Sequence, residues 1–275
     1  MTWRRTVNSA LERTVGYRLV KAPARIGAST PARKATPPAR PASVAPSAPV
    51  ITFPADYDDE ARAIITAVKP WTMTSPERLH ALILATRYVS RHHIPGAIVE
   101  CGVWRGGSMQ AAARTLISCN DTERHLYLFD TFQGMPPPAE KDRRRDGELA
   151  ATLLERAPRQ AGIWAVASKE DVQAGFDDVP YPPDKVHLIP GLVEETVPAQ
   201  APDQIAVLRL DTDWYASTKH ELTTLYPRLS PGGVLLIDDY GWWLGSRQAV
   251  DEYLAETGAR LLLLRMDEGR IAIKP

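Results

Sequence analysis

Apolar positions near the start of the chain recur every four residues, at Trp3, Val7, Leu11 and Val15. Arg4, Arg5, Arg13 and Arg18 surround them, the pattern of a short amphipathic basic helix over residues 1–21. That periodicity then gives way to Pro, Ala, Ser and basic residues, a composition that buries too little apolar surface to fold, so residues 22–55 read as a disordered linker. Ordered structure is expected again near Tyr57. Thr74-Ser75-Pro76-Glu77 joins helix-capping residues to a proline at the first turn. The helix that they open runs through Leu79, Leu82 and Tyr88 and stops at Ile94-Pro95-Gly96. Beyond it, short apolar runs alternate with helical periodicity. Strands are predicted over 97–101, 125–130, 185–190, 205–211 and 234–238, and helices over 108–117, 218–229 and 247–256. Alternation of this kind implies an α/β fold, a doubly wound, mostly parallel sheet with helices on both faces. The end of the chain, 260–265 and 270–274 around Asp267-Glu268-Gly269, reads as an antiparallel hairpin.

A chain of 275 residues can bury one substantial core, so the domain expected over 56–275 stands alone behind its tail. The formal net charge of zero conceals an asymmetry. The first forty residues hold nine lysines and arginines against the single acid Glu12, leaving the remainder with eight more acids than bases. An acidic body argues against nucleic acid as a partner. The basic helix has two readings, a frayed terminus without a role or an anchor to a partner or an anionic membrane surface. Cys101 and Cys119 are the two cysteines, too few for a disulfide framework or a cysteine-rich metal site. No apolar run reaches the length of about eighteen residues that a membrane span needs. A cytoplasmic protein is expected, touching a membrane at most through its N-terminus.

Three clusters carry chemistry. The first strand runs into Glu100-Cys101-Gly102-Val103-Trp104-Arg105-Gly106-Gly107-Ser108, a glycine-containing turn before a helix, where the backbone of an open α/β sheet approaches a ligand. The second strand ends at Asp130, placed to accept hydrogen bonds from the two hydroxyls of a ribose. Together they favour an adenosine ligand. The third cluster is Leu210-Asp211-Thr212-Asp213 with Ile237-Asp238-Asp239. Neighbouring parallel strands would bring these ends about 5 Å apart. Three or four carboxylates would then share one spot, which is costly unless a cation neutralises them. An all-oxygen set suits Mg²⁺, Mn²⁺ or Ca²⁺ rather than zinc.

The stretches MTSPERLHALILATRYV, IPGAIVECGVWRGGSM, LFDTFQGMP, LRLDTDWYAST and LLIDDYGWWLGSRQAVDEYL together resemble the macrocin O-methyltransferase family, in order from Trp71 to Leu254. Members of that family methylate sugar hydroxyls of macrolide and aminocoumarin antibiotics with S-adenosylmethionine. The resemblance implies a class I methyltransferase fold, in which a terminal hairpin joins the parallel sheet. It implies that Glu100, Gly102, Val103 and Ser108 line the methyl donor, that Asp130 holds its ribose, and that Met73 and Thr74 close over it. Gly191, Val193 and Glu194 would sit beside the adenine. Asp211, Asp238 and Asp239 would hold Mg²⁺ or Mn²⁺, with Asp211 also taking the proton of the acceptor hydroxyl. The acceptor would be a sugar-containing small molecule or glycan, and a homo-oligomer is compatible with the reading. Thr212 stands where the family usually has glycine, and Trp214 where it has a smaller apolar residue.

Trp242 and Trp243, just past the acids, offer flat faces to a sugar ring or to the core. The polar insertion 137–161 has the length of a lid that orders on substrate binding, or of a solvated charge run. His80, His92, His93 and His220 lack metal-ligand spacing to the aspartates. Two other functions fit the same residues: a metal-dependent catechol-type phenol methyltransferase, and a non-catalytic adenosine-binding module.

Overall fold

The structure is a computed structural model and describes residues 52–275. The helix expected over 1–21 and all but the last few residues of the linker expected over 22–55 lie outside the described residues.

The apolar runs pair into a seven-stranded sheet of β1 (Ala97–Cys101), β2 (Leu126–Asp130), β3 (Val186–Pro190), β4 (Ile205–Leu210), β5 (Leu229–Ile237), β6 (Leu264–Met266) and β7 (Gly269–Ile273), ordered β3-β2-β1-β4-β5-β7-β6. The first five strands are parallel to their neighbours, and β7 runs antiparallel to both β5 and β6. The predicted Rossmann-like sheet with a terminal hairpin is therefore the observed one. β1 and β4 lie side by side although the chain builds β2 and β3 on one flank and β5 on the other. The crevice between their carboxyl ends is the topological switch point where such sheets take ligands.

Period-two alternation assigns each strand residue to one of two cores. Ile98, Leu126, Leu128, Val207, Val234 and Leu236 face α2 (Pro76–Arg91), α3 (Gly107–Ser118) and α5 (Lys169–Asp177). Val99, Phe129, Leu208, Leu210, Leu235 and Ile237 face α6 (Val193–Thr196), α7 (Tyr215–Thr224) and α8 (Leu244–Thr257). Burial on both faces explains why the strands read as continuous apolar runs. Outside the first layer, α1 (Asp59–Val68) closes a further cluster with α2 and α3 through Ile65, Leu79 and Ile83. Ser75 caps α2 as its sequence predicts, accepting from the Arg78 amide at 3.3 Å, with Pro76 in the first turn.

Five helices differ from expectation. α1, α4 (Ala150–Arg156), α5 and α6 are not predicted from the sequence; they are short, ten residues at most, and give too few turns for a clear period. The helix expected over 218–229 begins three residues earlier, and after Thr224 the chain tightens into a 3₁₀ turn at Tyr226–Arg228. Pro227 has no amide hydrogen to continue an α-helical ladder. No helix among the described residues is long and apolar enough to cross a membrane.

Candidate active site

A cavity of about 560 Å³ opens at the carboxyl ends of the parallel strands. Gly102 ends β1 in a left-handed conformation, φ +84°, with its α-carbon so close to β4 that a β-carbon would stand 1.9 Å from the Asp211 carbonyl oxygen. Only glycine satisfies both demands. Asp130 organises the turn that follows. Its Oδ2 accepts from the Val103 and Trp104 amides at 2.7 and 3.0 Å, and its Oδ1 accepts from the Phe132 amide at 2.7 Å. Trp104 and Phe132 adopt positive φ, 47° and 53°. These two strained residues carry the amides that the carboxylate binds, so Asp130 offsets the strain of both loops. The Thr131 hydroxyl also lies 3.5 Å from Oδ1, and Asp130 lines the cavity.

Met73, Thr74, Gly102, Asp130, Gly191, Val193 and Glu194 line the cavity. Glu100, Val103 and Ser108 stand behind its wall. Val103 contributes its amide to Asp130, Ser108 lies 3.4 Å from the Thr74 hydroxyl, and Glu100 is buried against Arg209.

At the other end the aspartates meet. Leu210 pairs with Ile237 in the register of β4 and β5, so the residues that follow are neighbours. One carboxylate oxygen from each of Asp211, Asp238 and Asp239 lies within 4.8 Å of the others. The cations beside them are the feature that the sequence reading missed. Arg209, two residues before Asp211 on the same face of β4, is 1% exposed and touches every strand end around it. Its guanidinium donates to Glu100, to Asp211 Oδ2 at 2.6 Å, to Asp238 Oδ1 at 2.6 Å and to the Thr74 hydroxyl at 3.1 Å. Arg78 from the first turn of α2 donates to the second oxygen of Asp238 and lies 3.6 Å from Asp267 in the β6–β7 turn. Crowding is thus partly relieved by the protein's own guanidiniums. A charged residue inside the apolar run Ile205–Leu210 was the available signal, since such a group is buried only with partners.

Asp213 is a fourth acid at the cluster. Its φ of 66° turns its amide toward Asp239 Oδ2 at 3.1 Å, while its own carboxylate accepts from the Trp243 indole. Burial lifts Asp211 and Asp239 well above the ordinary carboxylate range, with the neighbouring acids adding to the rise and Arg209 and Arg78 respectively opposing it. Burial and the charge of Asp211 bring Asp213 to about 7. Even beside two guanidiniums, the charged forms of these acids are short of positive partners.

The insertion forms the far wall. Its residues 136–150 are bound to the two acid-bearing loops: Pro136 accepts from the Trp214 indole at 3.0 Å, Arg143 accepts from the Leu244 amide at 2.7 Å, and Arg145 donates to the Trp242 carbonyl at 2.8 Å. α4 packs Ala150 and Leu154 on Trp214 and Trp243. In this structure residues 136–150 lie against those loops through these bonds. Trp243 is 3% exposed and serves the core and Asp213, whereas Trp242 is 37% exposed and lines the cavity. Both indoles border the cavity, and Trp242 is the more exposed of the two. Trp214, buried edge-on against Trp243 with ring centroids 5.0 Å apart, supports that wall.

Comparison with known proteins agrees with this arrangement. The sequence profile of the family described as Macrocin-O-methyltransferase (TylF) matches residues 44–273. The chain is 35% identical over 216 residues to the 8-demethyl-8-(2,3-dimethoxy-alpha-L-rhamnosyl)-tetracenomycin-C 4'-O-methyltransferase of Streptomyces olivaceus, covering 77% of this chain and 79% of that protein. It is 34% identical to the mycinamicin III 3''-O-methyltransferase of Micromonospora griseorubida over 71% of this chain and 75% of that one. Among solved structures, the O-methyltransferase NovP superposes with a TM-score of 0.66 at 32% identity, covering 74% of this chain and 82% of the other. Glycine turn, strand-end aspartates, fold and relatives agree, and the chain belongs to the macrocin O-methyltransferase family of S-adenosylmethionine-dependent O-methyltransferases.

Proposed function

We propose that this enzyme transfers a methyl group from S-adenosylmethionine to a hydroxyl of a sugar or glycosylated metabolite with the help of a divalent cation, Mg²⁺ or Mn²⁺, at Asp211, Asp238 and Asp239. The observation that carries the reading is the convergence of those carboxylates within 4.8 Å at the same cavity as the glycine turn. The donor set fits a hard cation. All three groups offer oxygen. In their ionised forms Glu100, Asp211, Asp213, Asp238 and Asp239 would outnumber Arg78 and Arg209 in charge, an imbalance that burial makes expensive and a cation would relieve. The sugar acceptor is supported by the relatives, whose names place their methyl groups on a rhamnosyl 4' position and on a 3'' position.

When bound, the donor supplies an electrophilic methyl on a sulfonium, and the cation supplies charge that lowers the pKa of a hydroxyl beside it. The protein's residues do the rest. Asp130 would hold the donor's ribose through its carboxylate, and Gly191, Val193 and Glu194 would flank its adenine. Met73 and Thr74 cover it. Arg209 binds Asp211 through Oδ2 alone, leaving Oδ1 to take the acceptor's proton. The donor would supply the methyl carbon and keep the sulfonium's bonding pair on sulfur, while Asp211 takes the proton that the acceptor oxygen gives up. Trp242 offers the sugar a flat face at the mouth of the cavity.

The test uses a panel of neutral glycosides beside simple catechols, with and without exhaustive chelation. Transfer to glycosides should stop on chelation and return with Mg²⁺. Asp211→Asn should lower kcat by roughly a hundredfold or more with donor affinity unchanged. Full turnover after chelation removes the metal from the mechanism. Methylation of catechols alone replaces the sugar acceptor by a phenol, and donor binding without transfer to any acceptor returns the protein to an adenosine-binding module.

A further inference from the structure

Asp142 lies in the insertion, 1% exposed, and plays no part in the reaction as described. Its carboxylate occupies an unusual place. Oδ1 accepts from the Tyr215 amide at 2.8 Å, the first residue of α7, a helix whose own N-cap residue, Trp214, offers no side-chain hydrogen bond. Oδ2 accepts from the Ala139 amide at 2.7 Å and so fixes the turn that carries Asp142 itself. The first turn of α8 also abuts the group: a β-carbon at Gly245 would stand 2.3 Å from Oδ1. Trp243, the N-cap of α8, likewise provides no side-chain cap. Two helix N-termini, each favouring a negative charge, therefore converge on one carboxylate delivered by a third segment.

The position of those helices gives the contact its consequence. α7 begins two residues after Asp213, and α8 begins five residues after Asp239. We propose that Asp142 is the positioning residue that clasps the two acid-bearing loops to the acceptor wall, fixing the spacing between Asp211 and Asp213 on one side and Asp238 and Asp239 on the other. The donor end has its own support: Asp130 bonds the Val103, Trp104 and Phe132 amides and not Asp142, although the turn after β2 meets the same wall through Met135 and Pro136. Loss of Asp142 should loosen the acid end and leave the donor end intact.

Asp142→Asn keeps the shape but removes the charge and turns one acceptor into a donor facing the Ala139 amide. Hydrogen exchange on the full chain should accelerate about tenfold in three separate segments, 136–150, 212–218 and 241–248, as expected when one shared cap is lost. Titration with Mn²⁺ followed by electron paramagnetic resonance should show affinity reduced about tenfold, while calorimetry with S-adenosylhomocysteine shows donor-site affinity within twofold of wild type. The Mn²⁺ arm rests on the metal reading above; if the unaltered protein binds no Mn²⁺, that reading falls and the exchange pattern alone decides the clasp. Gly245→Ala intrudes on the same carboxylate from the opposite side and should give the same three-segment pattern, which guards against misfolding of the first variant. Acceleration confined to 136–150 in both variants, or an equal loss of Mn²⁺ and S-adenosylhomocysteine affinity, would overturn the proposal.

Discussion

The ends of β1, β2 and β3 and the ends of β4 and β5 open on one cavity, yet different forces hold them. In the first group a single carboxylate gathers three backbone amides after β1 and β2, from Val103, Trp104 and Phe132, and the turn after β3 is tied to the Asp130 carbonyl by the Gly191 amide. The second is organised by side-chain ion pairs, with Arg209 and Arg78 arriving from β4 and α2 to bind Glu100, Asp211 and Asp238. A network of backbone amides gives a rigid rim that tolerates a bound nucleoside. One of fixed cations under surplus acids leaves a local demand for positive charge, which suits chemistry on a hydroxyl. The two ends should therefore fail separately, and the sharpest way to break the comparison is to remove the cation beneath the acid end.

Arg209→Met keeps a long apolar stem but leaves Glu100, Asp211 and Asp238 without their shared guanidinium. Breaking one partner of a buried ion network costs about 3–5 kcal/mol, so a large fall in unfolding free energy is expected. The pH dependence carries the diagnosis. Burial raises Glu100 from its ordinary 4.5 to about 7, with Arg209 pulling the other way. A group raised on folding lends stability that is complete below its unfolded value and is lost as pH climbs through its folded one. The unaltered protein should thus lose stability through Glu100 between about 4.5 and 7, on top of the loss from Asp211, Asp213 and Asp239, whose folded values are also raised, so the deficit of the variant should widen with pH. Without Arg209 the folded value rises further, and the variant should go on losing stability above neutrality. Urea unfolding at pH 5, 7 and 9 with divalent ions chelated checks this. A deficit that stays constant across that range would mean that Arg209 acts through packing alone.

That contrast also sets what was legible in the chain. Strands β1 to β5 show as apolar runs because both sheet faces are covered, and the donor end shows because Gly102, Asp130 and their turns follow strands directly. The three metal-ligand candidates were visible as strand-end acids. Arg209 was readable in principle, since it sits in register opposite Glu100 and on the same face as Asp211, so period two alone pairs them. Arg78 was not, because its partner Asp238 is 160 residues away and nothing local in α2 announces it. The same holds for Asp142, whose hydrogen bond to Tyr215 spans 73 residues. A charged insertion that caps a distant helix has the composition of a solvated loop, and only the tertiary fold shows which of its acids is buried.

At the donor end, Asp130→Ala should weaken S-adenosylhomocysteine binding on the order of a hundredfold, since charge-assisted hydrogen bonds to backbone amides and ribose are lost together. Part of that loss is indirect. Trp104 and Phe132 hold positive φ against the carboxylate, and freed of it both turns should relax. Mn²⁺ affinity should stay within a factor of about two, because the acid end keeps its own cations. Calorimetry of both ligands on one preparation decides the matter, and a joint loss would show that the two ends are one cooperative unit rather than two.

The smallest expected effect separates the adjacent tryptophans of the acceptor wall. Trp243 is enclosed, with its indole donating to Asp213, so Trp243→Phe should lower Tm and disturb the acid end. Trp242 is more than a third exposed, and it lines the cavity with the Arg145 guanidinium 4.7 Å from the centre of its ring. The insertion keeps its backbone bond from Arg145 to the Trp242 carbonyl whatever side chain residue 242 carries, so Trp242→Ala should leave Tm nearly unchanged. An aromatic face stacked on a sugar contributes about 1 kcal/mol, roughly fivefold in binding. The variant should accordingly raise KM for a glycoside acceptor about fivefold while kcat and donor affinity hold, because nothing at the reacting atoms has moved. An unchanged KM with a lowered Tm would assign Trp242 to the wall's support. A fall in kcat at constant KM would instead place its ring against the reacting hydroxyl, nearer the acids than a residue at the cavity mouth should be.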